Sequence, residues 1–260
     1  MLFFIVSLLA STLGAVCGIG GGVIIKPVLD LLRLETVAAI SFLSGCTVLS
    51  MTCYSVGRSM LAGERRVALR TGTPLAAGAA VGGLLGKQLF TFIRSLSEDQ
   101  NAVGAVQAAC LAVITLGTLI YTVNKNRIRT KEVKSPAACV VIGLILGIMS
   151  SFLGIGGGPI NLVVLYYFFG MDTKTAAANS LYIILFSQLA SVLAAIATRE
   201  VPSFQWTALL LMVAGGIGGG VAGRGLNRRM DEKTVDRLFV GLMAVIIGIN
   251  IYNVWQYAGQ

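Results

Sequence analysis

The segment Gly18-Ile19-Gly20-Gly21-Gly22, set in LGAVCGIGGGVIIKPVLD over residues 13–30, interrupts an apolar chain and recurs as Gly154-Ile155-Gly156-Gly157-Gly158, 136 residues on. A second collinear match supports the duplication. Ala77–Leu89 (AGAAVGGLLGKQL) and Ala214–Leu226 (AGGIGGGVAGRGL) agree at six of thirteen positions, with Lys87 opposite Arg224. The chain is therefore read as two related halves, residues 1–123 and 136–260. Between them lies a basic linker, 124–135, with the sequence NKNRIRTKEVKS.

The solvent of these halves is lipid. Of 260 residues, 56% are hydrophobic and 12% charged, and the mean hydropathy is +0.84. Runs such as 37–57 and 101–123 carry no charge and have the length of a membrane crossing. Each half contains three such spans: 37–57, 71–92 and 101–123, then 175–198, 203–222 and 234–257. In front of them stands the glycine-broken unit, whose arms (2–17 and 23–34 in the first half) are each shorter than the ~20 residues of a full crossing. A re-entrant hairpin is the economical reading, although two short complete crossings give the same parity. Met1–Val16 has the apolar character of a signal-peptide core but lacks a basic start, and it is read as part of the structure.

With both hairpins re-entrant, loops 58–70, 124–134 and 224–233 fall on one face. They hold thirteen Lys or Arg residues, which makes that face cytosolic by the positive-inside bias. Three spans per half is an odd number, so the halves enter the membrane in opposite senses and both termini lie outside. The expected fold class is an all-α integral membrane protein built as an inverted repeat, each half a glycine-broken re-entrant helical hairpin plus three transmembrane helices.

Broken backbone at membrane depth leaves polar groups that hydrocarbon cannot satisfy, so a polar cavity or a ligand is expected at the glycines. Two helix N-termini near Gly22 and Gly158 would offer free N–H donors and partial positive charge to a small anion. The candidate binding residues are Gly20, Gly21, Gly22, Gly156, Gly157 and Gly158, with Ser44 and Thr47 after the first break and Asn179 and Ser180 after the second. Lys26 is a further candidate, with Asp30 at i+4 able to neutralise it. Asp30, the only carboxylate in a hairpin arm, is expected near the outer surface. Gln188 and Asn161 fit either interhelical bonding or ligand contact. The remaining glycine series, Gly78, Gly82 and Gly86 with Gly215, Gly219 and Gly223, reads as packing stripes.

Several classes fall away. The +9 net charge sits in short loops, so it orients the protein and does not imply nucleic acid. The five cysteines lie in apolar segments without metal-ligand spacing, and there is no histidine and no phosphate-loop motif. Neither catalysis nor a metal or other cofactor is expected.

The paired GIGGG breaks, Pro27 beyond the first and Ala178-Asn179-Ser180 after the second resemble the sulfite exporter TauE/SafE family, also called the TSUP permeases, over the whole chain. The resemblance implies a multi-pass carrier in the inner (plasma) membrane that moves a sulfur-containing anion such as sulfite, thiosulfate or an organosulfonate. An anion channel, or a membrane scaffold or assembly factor with no transported ligand, are the competing readings. Membrane lipid is the remaining partner, and a small-residue stripe facing a second copy would make a homodimer. The two halves are unequal: Leu162 faces Lys26, and Val163 faces Pro27.

The charge bias is testable. In a variant lacking the five native cysteines, Lys131→Cys is expected to resist an impermeant maleimide in intact cells and to react after permeabilisation. Labelling in intact cells would reverse the assigned orientation.

Overall fold

The computed structural model describes residues 1–64, 67–96, 100–155 and 157–258. Among these residues it is entirely helical, and the order of helix lengths recurs. First come α1 (Leu2–Cys17), α2 (Gly22–Leu32), α3 (Val37–Leu61), α4 (Leu69–Leu96) and α5 (Gln100–Asn124). A 3-10 turn at Lys125–Arg127 leads to α6 (Pro136–Leu153), α7 (Pro159–Phe169), α8 (Thr173–Ala197), α9 (Trp206–Arg229) and α10 (Glu232–Ala258). Corresponding caps recur as well. Thr36 accepts from the Ala39 amide at the start of α3, and Asp172 accepts from the Thr175 amide at the start of α8.

Among the described residues, seven helices are long and apolar enough to cross a membrane. Their outward faces carry exposed Val81, Val113, Val141, Leu193, Leu210 and Val245, while Ile19, Ile155, Leu75 and Met243 are enclosed. This is a multi-pass membrane protein. Six of the seven are the spans read from the sequence, each running a few residues beyond its apolar core. The seventh is α6, which the sequence marks as a hairpin arm and which reaches 18 residues.

The asymmetry between arms has a geometric cause. α1 runs parallel to α9, since Gly215 meets Phe4 and Ser7, Gly219 meets Leu8 and Ser11, and Gly223 meets Thr12 and Ala15. At Gly18, in the left-handed region (φ 77°), the helix ends. The chain then doubles back over α1. A Cβ on Gly14 would lie 2.5 Å from the Gly20 carbonyl carbon, and one on Gly21 would lie 2.9 Å from Ser11 Oγ. Only then does α2 begin. The first arm thus overshoots and the chain returns part of the way before helix resumes, which leaves 11 residues, about 16 Å, for α2. Asn253 of α10 donates to the Pro27 carbonyl, and Arg33 past the end of α2 donates to the Gln256 carbonyl, so α2 runs parallel to α10. Only Met230 and Asp231 separate α9 from α10. With both crossing the membrane they are antiparallel, and α2 leaves by the face at which α1 entered.

The principal helix pairings are unchanged when α1–α5 are exchanged with α6–α10: α1 lies on α9 as α6 lies on α4, and α3 on α9 as α8 on α4. At the centre α3 and α8 run antiparallel, residues 38–45 facing 188–195 at one end and 55–59 facing 174–181 at the other. Each broken unit is therefore held by the other half's fourth helix, with the glycine stripes at the contact. A Cβ on Gly78 would fall 2.1 Å from the Val140 carbonyl oxygen, and one on Gly82 would fall 2.1 Å from that of Leu144. With lipid outside, apolar area gives no drive for helices to associate, and such close backbone approach supplies dispersion contact instead. The stripes are consumed inside one chain and present no surface to a second copy.

Gly82→Leu is expected to lower the thermal midpoint in detergent sharply, since even one methyl overpacks this contact by about 1–3 kcal/mol. Gly117→Leu, where a Cβ meets nothing within 4 Å, is expected to leave the midpoint nearly unchanged. Equal effects would show that the stripe is not a packing contact.

Candidate functional site

The two breaks meet. A Cβ on Gly22 would lie 2.3 Å from the Ile155 carbonyl oxygen and 3.0 Å from Ser44 Oγ, and one on Gly158 would lie 2.5 Å from Val23 Cγ2. The first residues of α2 and α7 thus face each other across the chain's centre. A helix start leaves amides without intrahelical partners, although Pro159 has none to offer and the Ile24 and Asn161 amides donate to the Gly21 and Gly158 carbonyls. Gly157 and Gly158 adopt φ of 112° and 66°, conformations that side chains strain to reach. Gly20 is similar at 74°. Gly156 lies outside the described residues.

α3 and α8 flank this junction with matching faces. On α3, Ser41 packs against Gly154 and Ser44 against Gly22; on α8, Ala177 packs against Gly18 and Ile184 against Gly157. Helical spacing puts Ser180 on the same face of α8, between Ala177 and Ile184. The Ser44 and Ser180 side chains are fully buried, and neither hydroxyl has a hydrogen-bond partner within the described protein. The Oδ1 of Asn161, beside Gly157, is likewise buried and unpartnered. Buried polar groups in that state cost about 1–3 kcal/mol each. The junction therefore has donors ready for a polar occupant.

Other candidates serve the fold. Thr47 donates to the Leu43 carbonyl within its own helix. Asn179 donates to the Thr175 carbonyl and accepts from the Ala68 amide, which ties α8 to the start of α4. Lys26 is 2% exposed and donates to Ser41 Oγ and Gln107 Oε1, each at 2.9 Å, with Asp30 at 3.8 Å. Its ammonium is engaged, and Asp30 is 5% exposed, enclosed beside the C-terminal end of α10. Sequence reading missed Ser41, Gln107 and Gly14. The first was visible as a hydroxyl three residues before Ser44; the other two depend on which segments cross.

Two cavities approach the junction from opposite ends of the α3–α8 pair. One, about 60 Å³, is lined by Ser55, Ser59, Glu64, Lys174, Arg224 and Asn227. The other, about 40 Å³, is lined by Ser41, Lys87, Gln107, Ser151, Gln188 and Ser191. The linings correspond: Ser55 aligns with Ser191 and Arg224 with Lys87. Each cavity has room for a few water molecules, and each carries a cation at matching places.

This arrangement can be set beside known proteins. The family pattern described as sulfite exporter TauE/SafE matches residues 3–251. The chain belongs to the sulfite exporter TauE/SafE family. It is 22% identical to the probable membrane transporter protein YunE of Bacillus subtilis over 96% of both chains. It is 25% identical to a probable membrane transporter protein of Haemophilus influenzae over 70% of this chain and 68% of that one. A 30% identity to the probable membrane transporter protein MamO of Magnetospirillum gryphiswaldense covers 44% of this chain and 19% of that longer protein. No solved structure matches the chain with significance.

In this TauE/SafE protein an ion pair lines the first cavity. Arg224 on α9 meets Glu64 at 2.8 Å, and Ser59 donates to the same carboxylate. Glu200, the residue 136 positions beyond Glu64, accepts from Thr91 on α4. Burial by itself would raise the Glu64 carboxyl, but the Arg224 guanidinium and the Ser59 hydroxyl outweigh it and hold the group below its ordinary value. A depressed folded-state pKa contributes stability above the unfolded value of 4.5 and loses it as pH falls through the folded one. Glu64→Gln is thus expected to lower the melting midpoint at neutral pH, and its curve should converge on the wild type as pH drops below about 4.5. A pH-independent difference would rule out the ion pair as the cause.

Proposed function

We propose that this protein carries a small sulfur-containing anion, such as sulfite, thiosulfate or an organosulfonate, across the inner (plasma) membrane. The anion sits where the two glycine breaks meet. The observation that carries this reading is the pair of fully buried, unpartnered hydroxyls, Ser44 and Ser180, beside two facing helix starts. Hydroxyl and amide donors in a dry site suit an oxyanion, because each of its oxygens accepts several hydrogen bonds. Gly20, Gly21, Gly22, Gly157 and Gly158 let it approach the backbone closely.

The matching pairing of the two sets of helices, with α3 antiparallel to α8, supports an inverted repeat of residues 1–123 and 136–260. Rocking of one half against the other would open the cavity at the Glu64–Arg224 end and the cavity at the Lys87 end in turn. The anion is drawn in by Arg224 or Lys87 and handed to neutral donors at the centre. It is not trapped there by a fixed charge.

Purified protein in proteoliposomes is expected to take up sulfite, thiosulfate or a sulfonate saturably and to show counterflow, which a channel does not. Ser44→Ala with Ser180→Ala should raise the half-saturating concentration or cut the rate by ten-fold or more while the monodisperse elution profile is kept. Folded wild-type protein that moves none of these anions would overturn the carrier reading.

A further inference from the structure

One buried charge pair lies outside the anion junction. Lys26 and Asp30 stand one turn apart on α2, both enclosed, with Asp30 Oδ2 3.8 Å from Lys26 Nζ. That separation exceeds a hydrogen bond, and Asp30 Oδ1 has no partner at all. A buried carboxylate with one oxygen in a long ion pair and the other without a hydrogen-bond partner among the described residues is costly to keep ionised. The neighbouring helix shows the complementary lack. Asn253 donates its amide to the Pro27 carbonyl, one turn before Asp30, and its own Oδ1 is buried and unpartnered. The packed helices α2 and α10 thus each bury an acceptor without a donor, Asp30 Oδ1 and Asn253 Oδ1, and a proton on the Asp30 carboxyl is a donor.

The surroundings leave Asp30 few other partners. α1 carries no charged residue, the first on α3 is Arg58 at its far end, and α5 has none. α10 has its charges at its start, residues 232–237, and brings Tyr257, whose phenol feels the Asp30 charge. Arg33, beyond the end of α2, donates to the Gln256 carbonyl. Lys26, with its Nζ 3.8 Å from Asp30 Oδ2, is the charged group paired with Asp30 among the described residues.

The pair is also connected to the second break. Lys26 donates to Ser41, which packs on Gly154, and to Gln107, whose amide donates to the Phe152 carbonyl at 2.7 Å just before that break. Ser41 and Gln107 line the cavity at the Lys87 end. The second half has no counterpart, with Leu162 and Tyr166 at the equivalent positions.

Building on the carrier reading, we propose that Asp30, with Lys26 as counter-ion, is a proton-binding site that couples proton movement to anion movement, one site per chain. The carboxyl O–H breaks heterolytically, its electron pair stays on the carboxylate, and the proton passes to water in the adjacent cavity; uptake is the reverse. With Asp30 ionised, Lys26 is drawn toward it and away from Ser41 and Gln107, which frees the second break. With Asp30 protonated, Lys26 holds both.

Infrared difference spectra of the protein in lipid, recorded against pH, test the site directly. A protonated-carboxyl C=O band is expected to titrate in the wild type and to be missing from Asp30→Asn. No such band, or one that survives the substitution, overturns the proposal whether or not any anion is carried. In proteoliposomes, an imposed pH gradient should change wild-type flux of methanesulfonate, a permanent monoanion, several-fold. Asp30→Asn, and Lys26→Leu with Asp30→Leu should the single variant fold poorly, should reduce that ratio to about one while counterflow persists. Retained gradient dependence in these variants also overturns the coupling. Absence of wild-type flux for every sulfur anion sinks the carrier reading and leaves the infrared result to decide the proton site.

Discussion

Backbone amides and carbonyls at membrane depth must be satisfied without lipid's help, and the rest of this structure follows from how two glycine breaks meet that demand. The chain does not simply stop being helical at Gly18. It turns back flat against its own helix, over Gly14 and Ser11, so the unpaired segment is enclosed by protein before α2 starts. That return fixes the unequal arms, places the beginning of α2 against the second break, and leaves α1 dependent on α9 for its other face.

The same need for enclosure explains why the halves are interleaved. Neither broken unit could shield its own backbone with the helices that follow it, so each lies along the fourth helix of the other half, where glycines bring the backbones into contact. Architecture and site are consequently one object. The helices that hold the breaks shut also form the walls of the two cavities, and any motion of one half against the other must change both cavities together. Paired cations, Arg224 and Lys87, sit at the cavity ends, while the centre offers neutral hydroxyls and helix starts. A dry centre lined by a full positive charge would bind an anion too firmly to release it, because Coulomb attraction grows as the dielectric falls.

The departure from symmetry is as informative as the symmetry. Ser44 and Ser180 repeat, whereas Lys26 and Asp30 occur once. In the proposed mechanism the duplicated hydroxyls hold the cargo and the single charge pair responds to conditions, and Lys26 connects the two through its bonds to Ser41 and Gln107.

Much of this was legible in the sequence. Uncharged runs long enough to cross a bilayer announce helices and lipid, since hydrocarbon tolerates little else. A repeated GIGGG announces a duplication and a backbone break, because only glycine tolerates such turns. Glycines every fourth residue mark the faces that pack. Those signals are local or strictly periodic. Which residues would share a site was not local. Ser44 and Ser180 are left as buried hydroxyls without partners among the described residues, while Thr47 and Asn179 are taken up by nearby carbonyls and amides. The enclosure of Asp30 and the engagement of Lys26 depended on α5 and α10, whose contacting residues lie 81 and 226 positions away. Composition can state that a lysine and an aspartate stand one turn apart. Only the packing of distant helices around them decides whether water reaches them, and so whether they are a surface pair or a buried one.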